Sequence, residues 1–388
     1  MLDLAREHET PPMIRPKAAY FFYYAATASL LPFIALYYAQ LGLSAAQIGL
    51  LSGILPLVTL VSAPLWGAFA DATRRHHALL LFAIGGTMAA VLALSRTASL
   101  SALIPIVVVN ACFMAPIIPL VDSTVLTMLG ERRSLYGRQR LWGAIGWGIT
   151  APLAGWLMDR VGMTGGFGSY VFMMFGCFVV AIGLPVGRSH IAGSFRRGLR
   201  GLLGNWQWLV FLASILIGGI VMSIEMSFLF LYLNSLGASK ALMGLSLTVA
   251  TISELPVWFY SNRLLERFGT RKVLVISLLA CAAQGFAYSL MVNPLWVLPI
   301  QLLHGLAFSA SWAAGVAYSG KIAPPGMGAT AQGVFSGVSF GLRAALGAFI
   351  GGLLYQNVGP AAAFRVGGIA ALVGIGFLLL ASRRGAAR

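Results

Sequence analysis

Apolar residues along this chain fall into long blocks separated by short polar or basic breaks, without the strict alternation of a half-buried strand. Twelve blocks are readable, at 15–39, 46–70, 78–96, 101–128, 140–158, 168–187, 206–234, 241–262, 272–292, 295–319, 329–355 and 361–381. Most hold roughly 20 residues or more, enough to carry a helix across a ~30 Å hydrocarbon layer. Lipid allows the backbone only two spanning solutions, the helix and the closed barrel. The alternating segments of about ten residues that a barrel needs are absent. The pattern predicts an all-α integral membrane protein with twelve transmembrane helices.

Composition agrees. Of 388 residues, 59% are hydrophobic and only 9% charged, against about a quarter charged in a soluble domain. The 46 glycines suit membrane helices, where small residues let backbones approach. A formal charge of +16 raises nucleic acid as a partner, but its distribution argues against one. With the N-terminus inside, 21 of the 26 basic residues fall on the inner side, among them Arg74, Arg75, Arg132, Arg133, Arg138, Arg196, Arg197, Arg271 and Lys272. The outer side holds Arg96, Arg160, Lys240 and Arg365, and Arg343 lies within a span. This is the positive-inside pattern. It places both termini in the cytoplasm and the chain in the inner (plasma) membrane. No short apolar segment ends in a cleavage site, so the first span is expected to be its own insertion signal. Cys112, Cys177 and Cys281 all fall within spans, which reads as small apolar packing and not as disulfides or metal ligands.

The two halves of the chain repeat one another. Phe33, Tyr37, Leu41, Gly42, Ser44 and Gly49 recur as Phe228, Tyr232, Leu236, Gly237, Ser239 and Gly244, an offset of 195. Pro64 and Trp66 recur as Pro256 and Trp258, and Pro105-Ile106 as Pro299-Ile300, at offsets of 192 and 194. Gln139, Trp142, Trp147 and Gly148 align with Gln332, Phe335, Phe340 and Gly341 at an offset of 193. Each match is weak; four at nearly one offset are strong. The reading gives a cytoplasmic tail (1–14), a six-helix bundle (15–187), a basic linker (188–205), a second, pseudo-symmetric six-helix bundle (206–382) and a short tail (383–388). A parallel six-plus-six repeat is the plan of the major facilitator fold, in which solute binds between the halves near the midplane.

Between the second and third spans, Gly67, Asp71 and Arg75 resemble the loop signature of the major facilitator superfamily, with Arg74 where the signature has a glycine and Ala72 where it has an arginine. The resemblance implies that this loop gates the cytoplasmic side. Simple topology and capping is the alternative for Asp71.

Charge within a membrane helix is costly, so ionisable residues there are functional candidates by default. Three acids lie well inside spans, Asp122, Glu225 and Glu254, with Arg140, His304 and Arg343 as their available partners. Asp122 and Arg140, eighteen residues apart, fall on adjacent spans and would neutralise one another. A guanidinium so placed can receive a hydroxyl or carboxylate of a solute; a static bridge between the spans is the competing reading. His304 shares a helical stripe with Gln301, Phe308 and Ser311 and belongs to the one side-chain type that ordinarily changes charge near neutral pH. Glu254 and, behind it, Glu225 are the proton-site candidates. Arg343 has Glu225, Glu254 or an anionic solute as possible partners, and sequence does not choose among them. Tyr24, one turn from Thr27, and Asn110 in the fourth span complete the substrate-binding candidates.

The run Pro116-Ile-Ile-Pro119-Leu-Val-Asp122, followed by Tyr136-Gly137-Arg138-Gln139-Arg140-Leu141-Trp142-Gly143, resembles lactose permease and its relatives. It resembles the bacterial 3-phenylpropionate transporter group still more, and that likeness extends to Ser253-Glu254 and Gln301-Leu-Leu-His304. The resemblance implies a solute site on Asp122 and Arg140, with Trp147 stacking on a ring. The expected function is proton-coupled uptake of a small organic solute, such as an aromatic carboxylate or a sugar. The expected protein is a monomer in the bilayer that uses a proton gradient and no cofactor. Export by antiport on the same fold is the alternative, and a solute sensor a more distant one. No phosphate-binding P-loop is present, and four of the five histidines lie outside the spans, so neither ATP-driven transport nor an enzyme is expected.

Overall fold

The computed structural model describes residues 13–132, 135–185, 202, 204–323 and 327–383. The expected linker and both tails lie largely outside the described residues. Twelve long helical segments follow in chain order: α1 Ile14–Gln40, α2 Ala45–Thr73, α3 His76–Ser95, α4 Leu100–Leu129, α5 Tyr136–Val161, α6 Met163–Ile182, α7 Trp206–Ser235, α8 Lys240–Phe268, α9 Thr270–Ser289, α10 Pro294–Gln301 with Gly305–Ile322, α11 Thr330–Val358, and α12 Pro360–Arg383. Among the described residues there is no strand. All but α5 are long and apolar enough to cross a membrane. At 26 residues α5 has the length but carries Arg138, Arg140, Asp159 and Arg160, and it packs between α1 and α8.

The repeat residues perform the same physical task in each half. Gly42 and Gly237 take φ of 79° and 80°, a left-handed conformation that glycine adopts without steric cost. Ser44 and Ser239, two residues on, cap α2 and α8 by accepting the N–H groups of Gln47 and Leu242. The Tyr37 hydroxyl donates to the carbonyls of Leu94, in the last turn of α3, and of Thr97, just beyond it. Tyr232 donates to that of Met291 beyond α9. Helix packing repeats as well, with α1 against α5 and α6 as α7 is against α11 and α12.

Four spans read as continuous are interrupted, α7 among them, at Gly219 between Trp206–Gly218 and Ile220–Ser235. α1 passes through a 3₁₀ turn at Leu31–Phe33, around Pro32. α4 breaks between Met114 and Ile117, at Pro116. α10 bends by 44° and continues through a π-helical turn at Gly305–Ser309. The cause of this bend is a side chain from α8. Ser253 Oγ accepts the Gly305 N–H (2.9 Å) and stands 3.2 Å from the Gln301 carbonyl. The hydroxyl therefore sits where the α10 backbone would have bonded to itself, a recognised origin of kinks. α11 carries a second π turn, Gly337–Leu342, immediately before Arg343.

The two halves meet through α5 against α8 and α2 against α11. Glycines make both seams. A side chain at Gly244 would strike the Ala151 carbonyl, and one at Gly49 that of Ala348. The seams start at the end bearing the α1–α2 and α7–α8 turns, here the far face, and reach mid-span, where Leu60 meets Gly337 and Gly341. Toward the opposite, basic face, Leu65, Phe69, Trp142 and Trp258 are exposed, and the bundle opens to that side.

Candidate substrate and coupling site

The first cluster lies in the N-terminal half. Close approach of α5 to α1 is set by Gly143, which lies against the Tyr24 ring, and Gly146, which lies against the Phe21 carbonyl. Tyr20 and Tyr24 are one turn apart on α1, as Tyr136 and Arg140 are on α5. Arg140 Nη1 donates to Asp122 Oδ2 at 3.3 Å and to the Tyr136 hydroxyl at 2.8 Å, and Nη2 donates to the Tyr24 hydroxyl at 3.3 Å. The Tyr20 hydroxyl donates to Asp122 Oδ1 at 2.5 Å. One cation, one anion and three phenols thus form a neutral, hydrogen-bonding surface. The Arg140 side chain is 45% exposed, so this surface borders the opening. Trp147 follows Arg140 by two turns of α5, just before Gly148, whose carbonyl accepts the Thr248 hydroxyl of α8 at 2.6 Å.

The second cluster lies in the C-terminal half. Glu225 on α7 is 7% exposed. Its Oε1 accepts from Gln284 Nε2 (3.3 Å) and the Tyr288 hydroxyl (3.1 Å) of α9, and from Gln301 Nε2 (3.1 Å) of α10. His304 stands between two carboxylates. Its Nδ1 is 3.4 Å from Glu225 Oε1 and its Nε2 is 3.8 Å from Glu254 Oε1, both outside hydrogen-bond geometry. Glu254 Oε2 accepts from Trp258 Nε1 at 3.2 Å and from the Ser309 hydroxyl at 3.3 Å. Phe308 stacks on the His304 ring with centroids 5.8 Å apart. The Ser253 wedge fixes the bend of α10 one residue from His304, and Glu254 follows Ser253 on α8.

The two clusters flank the same crossing. Arg140 lies eight residues from Gly148 and Glu254 three from Thr251, which faces Gly148. At ~1.5 Å rise per residue, both lie within about 12 Å of the α5–α8 contact, on its open side.

Three candidates are placed elsewhere. Asn110 is buried inside the N-terminal half, where its Oδ1 accepts the Thr87 hydroxyl and its Nδ2 points at Met114 Sδ; Thr87 also bonds to Tyr170. Arg343 is 9% exposed and packs against Gly219. Among the described residues it forms an ion pair with neither Glu225 nor Glu254, and its Nε is buried without a partner. Asp71, in the last turn of α2, pairs with His76 Nε2 at 3.0 Å at the start of α3, and Gly67 and Arg75 are not drawn into that pair. Arg74, where the superfamily signature has glycine, takes a φ of 56°, the conformation a glycine would serve.

Sequence reading missed Tyr20, Tyr136, Gln284, Tyr288 and Trp258. The usable signal was spacing: each stands one helical turn from another member of its cluster. An external groove of about 1100 Å³ lies between α3 and α6 around Met88, Leu92, Phe172 and Phe175. It is lined by none of the residues of the two clusters.

Six-plus-six helices with paired glycine seams and ionisable groups on the inner faces define a membrane transporter of the major facilitator type. A family model described as the MFS_1 like family matches residues 13–366, and the chain belongs to that family. It is 29% identical over 371 residues to the maltose permease of Geobacillus stearothermophilus, covering 94% of this chain and 93% of that protein. It is 26% identical over 353 residues to the probable 3-phenylpropionic acid transporter of Escherichia coli (strain K12), covering 88% and 90%. The solved structure of the nucleoside transporter NupG (D323A mutant) superposes with a TM-score of 0.80 at 17% identity, over 97% of this chain and 99% of that one. These relatives are transporters, not enzymes.

Proposed function

We propose that the chain is a proton-coupled symporter that takes up a neutral, hydroxyl-bearing ring compound of the sugar class. The single observation that carries the reading is His304, set between Glu225 and Glu254 across the opening from the Arg140–Asp122 surface. Three titratable groups in contact can hold and release a proton with small movements of α7, α8 and α10. Arg140 already has Asp122 as its counter-ion, so a neutral polyol can exchange hydrogen bonds with both without leaving a bare charge. Trp147 would offer its ring to the apolar face of the solute. Gradient and solute drive this cycle with no cofactor, and one chain suffices as a monomer.

The basic breaks support an orientation with both termini in the cytoplasm, and the bacterial relatives support an inner-membrane location. The open face is then cytoplasmic. An aromatic carboxylate is the second solute class, because Arg343 is a buried cation whose Nε has no hydrogen-bond partner among the described residues. The test is uptake into proteoliposomes under an imposed pH gradient, comparing a neutral disaccharide, a nucleoside and an aromatic carboxylate. Accumulation of the disaccharide alone, only with the gradient acid outside, is the expected result. Accumulation only with the opposite gradient would make the protein an antiporter. Carboxylate accumulation would move the solute site toward Arg343.

A further inference from the structure

The far-face seams carry two latches related by the internal repeat, one charged and one neutral. In the first, Gly155 of α5 lies against the Lys240 carbonyl, bringing the start of α8 onto α5. One turn on, Asp159 accepts two backbone N–H groups of α8, from Lys240 to Oδ1 and from Ala241 to Oδ2, both at 2.9 Å. The Lys240 ammonium lies 3.6 Å from Oδ1. Since Ser239 takes the Leu242 N–H, the first three donors of α8 are all satisfied, two of them by the other half. In the second latch, Gly352 of α11 lies against the Ala45 carbonyl, and Gln356 Oε1 accepts the Ala46 N–H of α2 at 3.1 Å. Lys240 and Ala241 are the repeat counterparts of Ala45 and Ala46 at the 195 offset of the cap serines, so packing pairs Gly155 and Asp159 with Gly352 and Gln356, 197 residues on and one helical turn beyond the 193-residue match of the sequence.

The geometry points to Asp159 as the residue that holds the far face shut. A carboxylate on two aligned N–H groups at a helix start makes charge-assisted bonds and meets the positive end of the helix dipole. Gln356 offers a dipole and a single bond. Opening the far face must part both, and in parting Asp159 it strands two donors and separates an ion pair. The α5–α8 arm is therefore the dominant one, and it biases the resting protein toward the conformation described here. Asp159 touches neither ionisable cluster, so it acts on the conformational equilibrium and not on solute or proton directly. This assignment rests on the fold and the family alone; it survives failure of the sugar-symport reading.

The test measures far-face opening. Spin labels on Ala98→Cys and Val292→Cys, exposed turn residues of opposite halves, report the separation by double electron–electron resonance in nanodiscs. Asp159→Asn, which makes this latch resemble its neutral counterpart, is expected to raise the long-distance population about tenfold. Gln356→Ala is expected to raise it by about threefold or less. Solute affinity in Asp159→Asn should stay within about twofold, while the maximal transport rate changes. A melting curve in the same nanodiscs separates gating from folding. Distances unchanged in Asp159→Asn, with or without a lower melting temperature, would overturn the proposal and leave Asp159 a helix cap. A larger shift from Gln356→Ala than from Asp159→Asn would overturn the ranking of the arms.

Discussion

At the scale of single residues, the two clusters respond to different substitutions. Glu254 has Trp258, Ser309 and His304 around it, so Glu254→Gln preserves volume and hydrogen bonds while removing a protonatable group. On the symport reading, gradient-driven accumulation should fall to background while solute counterflow persists; unchanged uphill uptake would take Glu254 out of the proton path. Arg140 makes three directed contacts from one planar fork, which a lysine ammonium cannot reproduce. Arg140→Lys should weaken solute binding by about tenfold or more, read as the KM for uptake; an unchanged KM would reduce the pair to a bridge between α4 and α5. The sequence reached these ions because charge within an apolar block stands out. It did not reach Tyr20, Tyr136, Gln284 or Tyr288, since polar uncharged residues in a span are ordinary. Their relevance comes only when the fold brings α1 to α5 and α9 to α7.

At the scale of helices, the span count and the repeat were legible, because apolar length and glycine spacing are local properties. The interruptions were only partly so. Pro32 and Pro116 mark two of them, but α2 and α8 contain Pro56, Pro64 and Pro256 without a break, so proline alone does not locate kinks in a bundle. The bend in α10 has no signal of its own in α10, as its cause is a hydroxyl on another helix. Ser253→Ala removes that wedge and lets the Gly305 N–H and Gln301 carbonyl turn back to one another. α10 should straighten and His304 should move relative to Glu225 and Glu254. The expected outcome is a shifted pH profile of uptake, with surface expression near that of the native protein. Gly85→Ala, where a side chain meets open space, is the matched control. It should leave the profile in place and raise stability by about 0.5–1 kcal/mol. An unshifted profile in Ser253→Ala would show that the bend does not set the histidine.

At the scale of the whole molecule, the two halves keep one frame and divide its interior. The cap serines, left-handed glycines and tethering tyrosines are shared, yet the polar interiors have diverged. At the 194-residue offset, Asn110 is the counterpart of His304; at the 195 offset of the unbroken α2 and α8, Thr59 is the counterpart of Glu254, and it donates to the Leu55 carbonyl of its own helix at 2.8 Å. Where the C-terminal half holds two carboxylates and an imidazole, the N-terminal half holds Thr87, Asn110 and Tyr170 in a closed neutral network. Conversely Asp122 corresponds to Val316, and Arg140 falls opposite a glycine, Gly333 by the sequence match and Gly337 by the packing. A duplicated bundle that carried coupling in one half and solute recognition in the other would answer differently to reciprocal substitutions. Asn110→Ala leaves buried hydroxyls short of a partner, and should lower stability by about 1–3 kcal/mol without changing the coupling of solute to protons. His304→Asn, which gives the C-terminal half the residue of the N-terminal one, should leave the melting temperature within a few degrees and abolish uphill uptake. The readout is paired: thermal unfolding, and the ratio of gradient-driven to downhill uptake, for both variants. Loss of coupling in Asn110→Ala with retained stability would place the proton path in both halves and remove the division of labour. Intact coupling in His304→Asn would leave Glu225 and Glu254 to carry the proton without the imidazole between them.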